Sequence, residues 1–198
     1  MDSKIIAVLV GIFVGWLLSQ FTELFKEKRE RKIKIKAIEV EISDLNDWLI
    51  RMSHTMRYMI QLIELEEPIG SMPQKLYPFM LKEYFPQVCM YIPREARIGI
   101  TDLYASIGTI NDTLDHLDEF FVKSDDSSQG FNEIALALYA QVLNTQFKCA
   151  FLKENPDGSF EKLNKAASEL DSNISKNIID AKAEATKLGI EKLNDKYL

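Results

Sequence analysis

Histidine, cysteine, proline and glycine are all scarce in this chain of 198 residues, with 2, 2, 6 and 8 of each. Cys89 and Cys149 share no CxxC spacing, which excludes a disulfide framework and half of a zinc ribbon; packed, reduced thiols are expected instead. With His54 and His116 as the only histidines, no metal-ligating set is expected, and no cofactor. So few glycines and prolines exclude a sandwich or barrel of many short strands and tight turns. No phosphate-cradling glycine loop, GxSxG or HExxH is present, which removes the common nucleotide-binding and hydrolase signatures. Positive charge is in deficit overall, at a net −6. A chain-wide nucleic-acid surface needs clustered cations, so direct nucleic-acid binding is not expected.

What the chain does have is apolar content, 46% hydrophobic against 27% charged, enough to bury a helical core. Its first feature is an uncharged run from Ile5 to Thr22, which as a helix would extend roughly 27 Å, close to the hydrocarbon thickness of a bilayer. A cleaved signal peptide is the competing reading. Against it, MDSK carries no net side-chain charge and no small-x-small site follows Leu18, so residues 1–25 read as a retained transmembrane helix.

Directly after it, residues 26–36 (KEKRERKIKIK) hold seven Lys or Arg against two Glu, a net +5. This basic collar places the carboxyl-terminal side in the cytoplasm by the positive-inside rule, with the amino terminus outside and the inner (plasma) membrane as address. Lys26, Lys28, Arg29, Arg31 and Lys32 are the candidates for lipid headgroups. Residues 1–25 carry −1, which leaves −10 on residues 37–198: an acidic body on a basic collar. Within the span, Ala7, Gly11, Gly15 and Ser19 recur every fourth position. They share one helix face, where two backbones can approach closely in lipid, so a homo-oligomer is expected.

From Ile35 the apolar residues keep a strict 3-4 spacing through Ile38, Ile42, Leu45, Leu49, Met52, Met56, Met59 and Ile63. Trp48 and Leu62 widen that stripe beyond a two-stranded seam, which favours a multi-helix bundle. The helix is predicted to run to Glu67, where Pro68 and Gly70 stop it. A second series runs Ala96, Ile100, Leu103, Ile107, Ile110, Leu114, Leu117 and Phe121. A third helix is predicted over about 132–153, and a fourth carries Phe160, Leu163, Ala167, Leu170, Ile174, Ile178, Ala181, Ala185 and Leu188. The fold class is therefore all-α: one amino-terminal transmembrane helix continuing into an antiparallel four-helix bundle over 37–198. The fourth helix would return towards the membrane. Between the first two, residues 68–93 hold five of the six prolines and five aromatics. This connection is expected to cap the membrane-distal end of the bundle, or to form the docking surface for a cytoplasmic protein partner.

The remaining constellation is Asn111-Asp112-Thr113-Leu114-Asp115-His116. It resembles the motif of HEPN ribonuclease domains, Arg, then Asn, Asp or His, then three residues and His, on an all-α bundle. Here Asn111 stands at the arginine position, so the cation that would stabilise phosphoryl charge is missing and no enzymatic activity is expected. In the register of Ile100, Ile107 and Leu114, Asn111 falls at e and His116 at c, outward from the chain's own core. That suits a dimer contact and equally a solvated face.

The layout as a whole is similar to the small membrane accessory proteins of RNA-targeting type VI CRISPR systems. The resemblance implies an oligomeric membrane assembly that perturbs or permeabilises the inner membrane during antiviral defence, beside an RNA-guided nuclease. The alternative is a non-catalytic membrane scaffold or adaptor.

Overall fold

The computed structural model describes residues 3–67, 69, 72–123, 128–155 and 170–187, and these are helical apart from short connections. Helix α1 runs unbroken from Ser3 to Glu64, roughly 93 Å at 1.5 Å per residue. No proline interrupts it, and the 3-4 stripe supplies a packing face from residue 35 onward. Of that stripe, Ile38, Ile42, Leu45, Leu49, Met52, Met56 and Met59 are buried, with Ile35 and Ile63 packed at its two ends. Trp48 behaves differently: half its surface is exposed, so it borders the stripe without extending the core.

The stop comes at the backbone level before the proline is reached. Glu66 takes a left-handed φ of 55°, Glu67 N–H donates to the Leu62 carbonyl and Glu66 N–H to that of Ile63. Together these bonds close a Schellman motif that satisfies two of the last carbonyls of α1.

Three further helices follow in chain order: α2 (Phe79–Val88), α3 (Arg94–Lys123) and α4 (Ser128–Glu154). A helical segment over 170–187 is α5. Every described member of the second apolar series from Ala96 to Leu117 is buried. Phe121 lies outside the residues whose side chains are described, as do Phe160, Leu163, Ala167 and Leu188. In α5, Ala181 and Ala185 are buried.

Helix α4 is the central element, packed on both α1 and α3, and it buries Ala135, Leu138, Tyr139, Val142 and Cys149. Pairings along its length settle the directions. Leu152 shares a groove with Ile38 while Tyr139 meets Arg57, so α1 and α4 run antiparallel. Lys148 pairs with Asp102 at 2.7 Å and Thr113 bonds to Gln141 at 3.1 Å, so α3 and α4 are antiparallel too. It follows that α3 runs parallel to α1. This corrects the simple alternating order expected from the sequence.

The reason is the path of the 68–93 connection. Rather than capping the far end, its described residues 72–93 double back along the flank of α1 as a strap. Asn111 holds it at Leu76, Glu41 at Met80 and Leu81, Lys34 at Gln87 and Arg31 at Tyr91. By the time the strap ends it has returned to the collar, so α3 must start there. Its middle is α2, which the proline content obscured: Leu81 and Val88 are buried and Tyr84 and Phe85 pack on the core. A tight turn, Cys89–Tyr91, closes it.

The N-terminus of α2 has no capping side chain of its own. Glu41 of α1 serves instead, its carboxylate accepting from the backbone N–H groups of Met80 (2.8 Å) and Leu81 (2.5 Å). A carboxylate there satisfies two otherwise orphaned donors and suits the positive end of the helix dipole. Replacing Glu41 with Ala is expected to cost about 1–2 kcal/mol, the range for loss of a good cap. Urea denaturation followed by circular dichroism measures it; an unchanged midpoint would mean that water replaces the carboxylate freely.

Candidate functional site

The Asn111–His116 stretch lies on α3, opposite the strap. Asn111 is half-buried, and its side-chain amide forms a two-way pair with one residue of the strap. Leu76 N–H donates to Asn111 Oδ1 at 2.9 Å, and Asn111 Nδ2 donates to the Leu76 carbonyl at 2.8 Å. An asparagine suits this because one amide presents a donor and an acceptor side by side, matching the N–H and C=O of an extended residue. Next to it, Lys75 reaches Asp115 at 2.5 Å, a contact that holds the ammonium pKa above its usual range. Thr113 Oγ1 returns a bond to the Thr109 carbonyl.

Asn111 therefore does not project outward as its heptad position suggested; the strap covers it. Asp112 and His116 are exposed. Five residues on a helix turn through 500°, so Asn111 and His116 point about 140° apart. The structure does not bring them together within the chain. The arrangement can fasten a segment to a helix.

Among the described residues, two grooves bear on these elements. One, of about 760 Å³, includes Trp48, Tyr77 and the carboxylates Glu41, Asp44 and Asp118. The other, of about 590 Å³, lies at the collar end between α1, α3 and α4 and is mostly apolar, with Lys36 and Lys153 among its residues. Among the described residues no three His, Cys, Asp or Glu gather as a metal site. The Cys149 thiol is buried, and desolvation pushes its pKa up to about 12, which makes it unreactive.

The other candidates sit on α1. From Val8 to Phe25 its apolar side chains meet almost nothing in this chain; Val8, Phe13, Trp16 and Phe21 are all largely exposed. Among the described residues it is the single helix long and apolar enough to cross a membrane. Added Cβ atoms at Gly11 and Gly15 would meet nothing within 4 Å, and Ser19 is exposed on the same line. Ala7 belongs to α1, but its side chain is outside those described. In the collar, Lys26, Lys28, Arg29 and Lys32 are exposed. Arg31 is not free: its guanidinium stacks 3.5 Å above the Tyr91 ring.

The roles of Glu41 and Tyr91 were missed from sequence. The spacing of Leu81, Phe85 and Val88 marks α2 as helical, but which flank of α1 it follows has no local signal. No family model matches the chain, and neither a curated protein nor a solved structure is significantly similar to it.

Asn111 and His116 separate cleanly by mutation. Asn111→Ala leaves the N–H and C=O of Leu76, itself buried, without partners, at about 1–3 kcal/mol per group. Strap protection in hydrogen exchange should fall. His116→Ala is expected within roughly 0.5 kcal/mol of the parent. Equal losses in thermal denaturation would show that His116 has a structural partner.

Proposed function

We propose that this chain is a membrane-anchored, self-associating helical protein that perturbs or permeabilises a bacterial inner membrane in antiviral defence, beside an RNA-guided nuclease. The observation that carries the anchoring is the continuity of α1. One helix passes from an uncovered apolar segment, through a basic collar, into a packed body without a hinge. Such a helix satisfies its own backbone in lipid. In this reading the amino terminus is outside and the acidic body, with α5 as the fourth member of the bundle, lies in the cytoplasm. The link to type VI CRISPR systems rests on the likeness in layout. The absent arginine and the separation of Asn111 from His116 favour a non-catalytic role.

Self-association is supported by the open faces of Gly11 and Gly15. Gly11→Leu with Gly15→Leu adds bulk where backbones would touch, and leucine is favourable in lipid, so insertion should persist while oligomers weaken. Light scattering in mild detergent reads the stoichiometry. An unchanged value would remove the stripe and leave the body as the assembly surface. For orientation, protease added to intact spheroplasts should spare residues 37–198; degradation of the body would reverse the topology.

A second reading, a scaffold that recruits a cytoplasmic partner, is favoured by one observation. Tyr77 and Phe79 on the strap stack on each other at 6.3 Å while remaining 64% and 70% exposed. Paired exposed aromatics at the rim of a groove are the usual anchors of a protein interface. A monomer or dimer in detergent together with loss of a captured partner in Tyr77→Ala, Phe79→Ala would favour it over the assembly.

A further inference from the structure

At the collar end the strap closes in the Cys89–Tyr91 turn, whose Met90 is the most exposed large apolar side chain among the described residues, at 78%. Around it the charge is cationic. Arg31 stacks on Tyr91 at 3.5 Å, and Arg97 Nη1 lies 3.8 Å from Met90 Sδ. Arg94 is exposed at the start of α3. Residues 89–97 contain one carboxylate, Glu95, against these arginines. An acidic body thus presents a basic-rimmed apolar tip at the end where α1 enters it.

The height of that tip can be read along α1. From Thr22 to Arg31 is nine residues, about 13 Å, and the exposed Leu24 and Phe25 carry apolar surface to within six residues of Arg31, about 9 Å. A headgroup layer adds roughly 5–8 Å outside the hydrocarbon. Arg31, with Tyr91 stacked on it, therefore stands just outside that layer when α1 spans a bilayer, close enough for the side chain of the neighbouring Met90 to reach into it. An apolar tip with a basic rim is the chemistry of interfacial binding to anionic lipid.

We propose that the Cys89–Tyr91 turn is a second membrane contact. Met90 enters the interfacial layer, and Arg31, Arg94 and Arg97 hold anionic headgroups. Such a foot fixes the tilt of the body against the bilayer, because one helix alone leaves the body free to swing. The proposal rests on the reading of α1 as a membrane span, and the experiment separates the two.

Full-length protein is reconstituted in phosphatidylcholine vesicles with or without phosphatidylglycerol, in which brominated acyl chains quench a fluorophore in the hydrocarbon and headgroup-attached nitroxides quench one in the interfacial layer. Met90→Cys in a Cys89→Ser background carries the label, since the fully buried Cys149 does not compete. Tyr58→Cys in the same background, on an exposed site far along α1, is the control. Trp16 in a Trp48→Phe variant reports the span. The expected result is quenching at 16 and at 90, none at 58, with quenching at 90 dependent on phosphatidylglycerol. Arg94→Gln with Arg97→Gln should weaken the contact at 90 by roughly fivefold per arginine. Quenching at 16 without quenching at 90 overturns the foot and leaves the span standing. Loss at 16 overturns the span, and quenching at 90 then still supports a surface contact whereas its loss removes both. Quenching at 90 that ignores phosphatidylglycerol overturns the arginine assignment. Energy transfer between labels at 90 on different chains, without lipid quenching, would assign the tip to a second copy instead.

Discussion

Everything in this fold hangs on one continuous helix. The apolar stripe of α1 from Ile35 to Ile63 is the surface on which α4 lies and towards which α5 packs, and its flank is the track for the strap. A break in α1 between residues 26 and 36 would uncouple the apolar segment from the body. As built, any tilt of the first part is carried rigidly into the second, since the helix has no proline between its ends.

The strap is the second constraint. Because it returns along α1 before α3 begins, contacts spaced along α1 and α3 hold it, and three of them are specific to one group: the Asn111–Leu76 pair, the Glu41 carboxylate on the start of α2, and Arg31 on Tyr91. Each uses a polar or cationic side chain to satisfy a specific group where a hydrophobic patch would let the segment slide. Two of these three lie on residues that sequence alone assigned other work, Asn111 to a nuclease-like motif and Arg31 to lipid. The Asn111 pairing gives that residue a structural occupation. For Arg31 the two are compatible, since a guanidinium stacked on a ring still presents its edge donors.

At the far end, α5 is tied to α1 by Arg57 with Glu184 and by Glu64 with Lys182, over the buried Ala181 and Ala185. The Arg57 hydrogen bond holds the Glu184 carboxyl below its usual pKa. A depressed carboxylate favours the folded contact above its unfolded pKa and loses that contribution as pH falls through the folded value. With half of Glu184 in water, the pair orients α5 more than it stabilises it.

Helix type, the buried faces of α1 and α3 and the apolar amino-terminal segment were all legible in the sequence, because each depends on periodicity within one stretch of chain. Leu49, Met56, Leu103 and Ile110 fall where the 3-4 count puts them, and all are essentially inaccessible to solvent. The direction of α3, the course of the strap and the partners of Asn111, Glu41 and Arg31 were not legible. A heptad count gives a side chain's angle on its own helix but not what lies opposite it. A proline-rich connection of that length can close either across the end of a bundle or along its side. Only the tertiary packing chose the side, where α2 could bury Leu81 and Val88 against the body and exchange its uncapped N–H groups for the Glu41 carboxylate.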